Sequence, residues 1–283
     1  MHIAVVGTGL IGTSLGLAWR ARGHLVVGCD VDERALEAAR TRGAFDRTVD
    51  FDSARSADAL VLAVPLDAAC ALLARLRDGS GNPAVVFDVA SLQQPVIRAA
   101  AGLPGFVATH PMAGREGSGA AAADGAIFAG QPWIYEPVGG EPESVVVRLI
   151  VETGAIPVPL DGATHDRAVA VTSHLPQLLA LALARCVGRR AAEGGVRAVA
   201  GPGLRGALRL ANARWSMWGP LLAEQGHRDA DLLEDLAAEL KAMAAALRNG
   251  DPATIRRAFD EGPELLANIF RNTKDRDEGQ DSP

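Results

Sequence analysis

Along the first 160 residues the hydrophobic positions fall into short unbroken runs separated by amphipathic stretches. The runs Ile3–Val6, Leu25–Cys29, Ala59–Val64, Ala84–Asp88, Phe106–Thr109, Trp133–Tyr135 and Ile156–Pro159 predict strands. Helical spacing between them predicts helices near 10–22, 32–42, 67–77, 92–100 and 143–153. Continuous apolar strands alternating with helices mark a parallel sheet covered on both faces. After Gly162 the texture changes, and Ala/Leu-rich segments at 163–192, 196–217, 229–248 and 253–270 read as helices throughout. In the third of these, Leu232, Leu233, Leu236, Leu240, Met243 and Leu247 return at helical spacing. The pattern therefore predicts an α/β domain over 1–161, an all-α domain over 162–272 and an acidic, disordered tail over 273–283. Helices this apolar must pack on one another or on a second subunit, which points to a homodimer.

Composition narrows the partners. With 28 basic against 34 acidic residues the formal charge is −6, and only 4% of the 283 residues are aromatic. A protein of this balance lacks the basic face and the stacking surfaces of a nucleic-acid binder. The cysteines Cys29, Cys70 and Cys186 stand far apart without a CxxC pair, which fits neither a disulfide framework nor a metal site. The chain enters a strand-like run at His2, and no apolar stretch reads as a bilayer span, so a cytoplasmic protein without membrane contact is expected. Lysine occurs only at 241 and 274, which removes mechanisms that need a mid-chain catalytic lysine.

The first motif with chemistry is Gly7-Thr8-Gly9-Leu10-Ile11-Gly12, between the first strand and the first helix. Gly7 permits a tight turn, Gly9 lets the backbone approach a pyrophosphate, and Gly12 allows helix and strand to pack closely. The N–H groups of the helix start, at Leu10 and Ile11, face the same anion. Asp30 ends the second strand 18 residues past Gly12, where a carboxylate bonds the ribose hydroxyls of NAD and repels the extra phosphate of NADP. Asp32, just before Glu33-Arg34-Ala35, suits the helix cap, which leaves Asp30 as the ligand. The reading is a Rossmann-type dinucleotide-binding domain with NAD as cofactor and no metal.

Ligands of such sheets bind beyond the carboxyl ends of the strands. Val64-Pro65, Asp88-Val89-Ala90-Ser91 and His110-Pro111-Met112-Ala113-Gly114 would lie there. The proline after His110 holds that residue extended, and a histidine so placed can take a proton near neutral pH. If it does, the rate falls on acidification as the imidazole charges.

At this point the sequence resembles the prephenate/arogenate dehydrogenases. The resemblance rests on Gly9-Leu10-Ile11-Gly12-Thr13-Ser14-Leu15, on Asp88 to Ser91, and on His110 to Gly114 with Glu116 and Gly119. It continues with His165-Asp166 before Ser173-His174-Leu175-Pro176, and with Arg209-Leu210-Ala211 before Met217-Trp218. It implies NAD-dependent oxidative decarboxylation of a cyclohexadienyl carboxylate, prephenate or L-arogenate, to 4-hydroxyphenylpyruvate or L-tyrosine. It further implies His110 as the base at the ring hydroxyl, Ser91 as the partner orienting its ring, Arg209 as a carboxylate ligand, Trp218 as a pocket wall, and Glu116 and Asp166 as acids near the entrance. Asp166, Ser173 and Gln177, 7 and then 4 residues apart, return to one helical face, from which His174 points away as a packing residue.

Three positions depart from the family pattern. Gln177 stands where many prephenate-using members have a histidine, Arg115 where a small hydroxyl residue is usual, and Gln93 where lysine is usual. A neutral Gln177 moves the reading towards L-arogenate or a 4-amino-4-deoxyprephenate, and Arg115 could meet a carboxylate or phosphate. The alternatives are a β-hydroxyacid dehydrogenase, disfavoured because 163–192 contains no lysine, and a non-catalytic NAD-binding descendant.

Overall fold

The computed structural model describes residues 1–79, 81–115, 117–192 and 194–270. Strands β1 (His2–Val6), β2 (Leu25–Cys29), β3 (Arg47–Thr48), β4 (Ala59–Leu62), β5 (Val85–Asp88) and β6 (Phe106–Val107) form one parallel sheet in the order β3-β2-β1-β4-β5-β6. The strand order reverses between β1 and β4, so the carboxyl ends of these strands open a crevice where ligands of doubly wound sheets bind. Helices α1 (Leu10–Ala21), α2 (Glu33–Thr41), α3 (Phe51–Ala54), α4 (Leu66–Asp78) and α5 (Gln93–Ala99) connect the strands. Alternation along β1 feeds two cores. Ile3 and Val5 pack with Leu15, Trp19, Phe87 and Trp133, and Ala4 and Val6 pack with Leu60, Leu62, Leu73 and Val96. Asp32 caps α2 by accepting from the N–H groups of Arg34 and Ala35.

The run expected over Phe106–Thr109 is divided. Its first half joins the parallel sheet, and the chain then turns into β7 (Thr109–Pro111), which pairs antiparallel with β8 (Pro132–Tyr135) in a separate three-stranded sheet completed by β9 (Ile156–Pro159). His110 is thus a strand residue opposite Ile134. Thr109 accounts for the turn: its N–H and hydroxyl both reach Asp88, and its hydroxyl also accepts from Trp133 Nε1 at 2.9 Å. Helix α6 (Gly140–Glu152) covers this region, with its Leu149 carbonyl accepting from Trp19 Nε1 at 3.0 Å.

From Gly162 onward the described residues contain helices and turns and no strand. Helix α7 (Gly162–Val169) runs through a π-helical turn, Ala170–His174, into α8 (Leu175–Arg190). Pro176 has no N–H to offer the carbonyl four residues back, so the ladder is broken where the wider turn sits. Contrary to the sequence expectation, Gly162–Arg190 is long and apolar enough to cross a bilayer, with a mean hydropathy of 1.3 over 18 residues. One face carries His165, Asp166, His174 and Gln177, buried and bonded within the protein, while Val171, Leu179 and Leu181 on the same stretch are exposed. The segment expected as one helix over 196–217 is instead a short helix α9 (Pro202–Leu208) and a 3₁₀ turn, Arg209–Asn212. The break expected before 229 is absent, because α10 (Trp215–Arg248) is continuous, and α11 (Pro252–Ile269) follows.

By contacts the chain forms two compact units, residues 1–229 and 230–283, and the change from sheet to helices at Gly162 lies inside the first. Val169 and Leu221 lie in the same buried cluster as Leu60 and Val96, which ties the first helices after Gly162 to the sheet.

Candidate active site

The glycine turn is built as its spacing requires. Gly7 has φ +97°, and a Cβ there would lie 2.2 Å from the Ala63 carbonyl oxygen and 2.8 Å from Val64 Cγ1. At Gly12 a Cβ would meet the Gly7 carbonyl at 1.8 Å, whereas at Gly9 it would meet nothing within 4 Å. Two glycines are thus demanded by the fold, and the third leaves a bare approach to the first N–H groups of α1, at Leu10 and Ile11. Gly9 caps that helix without a side-chain hydrogen bond, so its N-terminal donors are open to an anion. Asp30 stands beside the turn, with Oδ2 accepting from the Thr8 N–H at 2.6 Å and the Thr8 hydroxyl at 2.8 Å. Its Oδ1 accepts from the Asp32 N–H at 2.9 Å. Val64 and Pro65 pass from β4 into α4 on the other side of the turn. This cradle fits a dinucleotide.

A second concavity, a cleft of about 240 Å³, is lined by Ser91, His110 to Ala113, Ser173, His174, Met217, Trp218 and Leu221. Three buried acids stand behind it. Asp166, 1% exposed, accepts from the N–H groups of Gln93 at 2.8 Å and Gln94 at 2.9 Å, and its Oδ1 also meets His165 Nδ1 at 2.8 Å. His165 Nε2 lies 3.0 Å from His110 Nδ1, with the two rings edge to face. Asp229 faces His174 Nδ1 at 3.1 and 3.2 Å, and the His174 ring is edge-on to Trp218. Asp88 accepts from the Ala90 and Thr109 N–H groups.

Charge at these groups follows their burial. Desolvation, reinforced by the neighbouring His165, holds the His110 imidazole well below its usual range, at about 3. The ring is therefore a neutral base throughout the pH range in which a solvated histidine would be titrating. Desolvation likewise pushes the Asp88 carboxyl up to about 7, against the hydrogen bonds from Ala90 and Thr109 and with a smaller push from Asp166. The arrangement can accept a proton at His110, on the small sheet that the chain enters directly after the last strand of the sheet carrying the dinucleotide cradle.

Comparisons with known proteins settle the lineage. The family model for the prephenate dehydrogenase nucleotide-binding domain matches residues 15–155, and that for the prephenate dehydrogenase dimerization domain matches 161–261. The chain belongs to the prephenate dehydrogenase family. NovF of Streptomyces niveus, named a probable prephenate dehydrogenase, is 33% identical over 86% of this chain and 68% of its own length. The arogenate dehydrogenase of Synechocystis superposes with a TM-score of 0.70 at 26% identity, over 98% of this chain and 99% of that one. Prephenate dehydrogenase from A. aeolicus, solved with hydroxyphenyl propionate and NAD+, shares the fold with a TM-score of 0.84 at 20% identity, over 95% of this chain and 98% of that one.

Within this family frame the structure brings together some expected residues and separates others. Ser91, His110, Ser173 and Trp218 share the cleft, and Gly7, Gly9, Leu10, Ile11, Gly12, Asp30, Val64 and Pro65 share the cradle. Ser91 makes no hydrogen bond to His110 among the described residues, and the ring is held by His165 instead. Asp166 is not an entrance acid, since its carboxylate is sealed beneath the cleft. Gln177 lies off the cleft, and its amide Nε2 donates to the Leu210 carbonyl at 2.8 Å. Arg115 pairs with Asp124 at 3.3 Å on the surface, outside the cleft. Arg209 is exposed on the 3₁₀ turn and has no ion pair among the described residues. Glu116 lies outside the described residues, as does the tail from residue 273.

His174 is where the helical arithmetic fails. The π turn adds a residue to that turn, which rotates everything after it relative to Asp166 and sets His174 in the cleft wall, fully buried. The sequence reading assigned no role to His165, Asp229 or Asp88. His165 carried a faint signal, a histidine beside an acid in a matched block. Asp229 carried none, being one acid among many in a long helical stretch.

Proposed function

We propose that the chain is an NAD-dependent cyclohexadienyl dehydrogenase that oxidises and decarboxylates prephenate or L-arogenate, yielding 4-hydroxyphenylpyruvate or L-tyrosine. The observation that carries this reading is a half-buried His110, its imidazole held neutral, in a cleft past the carboxyl end of a nucleotide-binding sheet. The cradle of Gly7, Gly9, Gly12 and Asp30 would hold the dinucleotide, which when bound supplies the hydride acceptor. Asp30, at the ribose position, favours NAD over NADP by repelling a 2′-phosphate. His110 takes the ring-hydroxyl proton as hydride leaves the same carbon. When carbon dioxide departs and the ring becomes aromatic, His110 returns that proton to the phenolate oxygen, so no net proton is released. Ser91 and Ser173 offer hydroxyls to the substrate, and Trp218 closes the wall over its ring.

Among the described residues no Lys or Arg side chain lines the cleft, although the substrate carries carboxylate. Arg209, exposed and with no ion pair among the described residues, is the group we assign to a substrate carboxylate, and its guanidinium fork matches that geometry. Gln177 positions the turn carrying Arg209 through the Leu210 carbonyl. The enzyme works as a homodimer. The dimerization-domain match and the exposed apolar side chains Phe259, Leu265, Leu266 and Ile269 of α11 support this, since such a face is rarely left to water. A cytoplasmic setting accords with three free thiols.

The test is reduced-nicotinamide formation by the purified protein with prephenate, L-arogenate and 4-amino-4-deoxyprephenate, each with NAD and NADP. Turnover of prephenate or L-arogenate with NAD is the expected result, and the preferred one names the substrate. Turnover of the amino analogue alone would move the assignment to that compound, and turnover of none would remove the catalytic reading.

A further inference from the structure

We propose that His165 and Asp166 are positioning residues that fix the His110 ring in the Nδ1–H tautomer, leaving Nε2 as the proton acceptor for the cleft. The inference rests on His110 acting as the base. It starts from Asp166, whose oxygens accept from the Gln93 and Gln94 N–H groups at 2.8 and 2.9 Å. A carboxylate so used is an acceptor, and the nitrogen 2.8 Å from its Oδ1, His165 Nδ1, therefore carries the proton of that contact. A His165 ring carrying its one proton on Nδ1 leaves Nε2 as an acceptor, and His110 Nδ1, 3.0 Å away, then donates to it. His110 Nε2 has no protein partner among the described residues, and His110 lines the cleft. The chain Asp166–His165–His110 thus passes a single acceptor signal from a buried carboxylate to the reacting face.

The order matters because a free imidazole favours the proton on Nε2, the wrong nitrogen for a base facing this cleft. The relay reverses that preference without moving any backbone. His165 and Asp166 are each 1% exposed, so water cannot take the place of either contact. The other titratable groups that bear on His110 are Asp88 through Thr109 at the end of β5, and His174 with Asp229 behind it. None of these is recorded on His110 Nδ1. The arrangement extends the familiar carboxylate–histidine pair by one ring.

Nitrogen-15 NMR of histidine-labelled full-length protein reads the tautomer directly, with the His110 signals assigned by their loss in His110→Asn. The wild type is expected to show Nδ1 protonated and Nε2 bare from pH 5 to 8. In His165→Leu the proton should pass largely to Nε2, with kcat falling about 100-fold, the lower end of a general base's contribution, and KM changing little. His165→Gln keeps an acceptor and should restore both the tautomer and most of kcat, and it stands in if the leucine variant does not fold. A His110 that stays Nδ1–H in His165→Leu, or a wild type with the proton on Nε2, would overturn the proposal. Because the tautomer is read without turnover, the relay can fail while His110→Asn remains inactive, and the base assignment then stands. A fully active His110→Asn would instead sink the base assignment and leave the tautomer result as a separate fact.

Discussion

At the scale of single residues, the three glycines of the turn differ in what they protect. A methyl at Gly7 meets the Ala63 carbonyl and forces a side chain into φ +97°, so Gly7→Ala should lower stability by more than about 2 kcal/mol in chemical denaturation. Gly9, with φ −69° and open space around its Cβ position, should accept alanine with an unchanged Tm, while NAD affinity falls about tenfold or more by calorimetry. Equal damage to stability and binding at Gly9 would contradict the assigned approach of the pyrophosphate. His110→Asn should reduce kcat about 10²- to 10⁴-fold. The pH dependence keeps the sign of the sequence expectation and shifts to lower pH. A base is competent when neutral, and His110 charges only near 3, so kcat/KM should stay level on acidification through pH 6 and fall only well below the usual histidine range. A loss centred near pH 6.5 would mean that the ring is solvated. Asp88 behaves oppositely. Its folded value near 7 lies above the unfolded carboxylate value of about 3.9, so the folded state binds the extra proton and stability is lost as pH rises between the two. Wild type should therefore gain stability over Asp88→Asn on going from pH 8 to pH 5.

At the scale of elements, the signals that held were local and repeated. Asp32 ahead of Glu33 and Arg34 was legible as a cap because its carboxylate need only reach N–H groups two and three residues on. Asp32→Ala should cost about 1 kcal/mol in denaturant unfolding, and a loss within error would show that α2 is held by packing alone. The parallel strands were legible because both faces of each are buried, which writes an unbroken apolar run. What escaped were departures from a regular period. The run around Thr109 reads as one strand, since nothing local says that its first two residues pair with β5 and its last three with β8. The π turn escaped for the same reason: a ladder of one wider turn leaves no mark in an Ala/Val/Leu helix beyond the proline after it, yet it decides which way Ser173 and His174 face.

At the scale of the molecule, the α/β order followed by helices was readable from texture, and the family resemblance adds five ordered blocks to it. The burial of Val169 and Leu221 with Leu60 and Val96 was not, because those residues are no more apolar than their neighbours. The proposed homodimer rests on the dimerization-domain match and on α11, whose Phe259, Leu265, Leu266 and Ile269 are each more than half exposed in the single chain. Light scattering at micromolar concentration should give a mass near twice 29.4 kDa, and Leu266→Asp should shift it towards the monomer.

By itself, the sequence determined the sheet-and-helix order, the glycine turn, Asp30 as its acidic companion and His110 as the candidate base. Each of these depends on neighbours a few residues away or on a spacing the chain itself carries. Only the tertiary structure decided what stands behind the base. His165 reaches His110 across 55 positions, Asp166 reaches Gln93 across 73, and Asp229 reaches His174 across 55. Those pairings come from the packing of α7, the π turn and α10 around one cleft, and the desolvation that lowers the His110 imidazole and raises the Asp88 carboxyl is a property of that packing, which no single segment encodes.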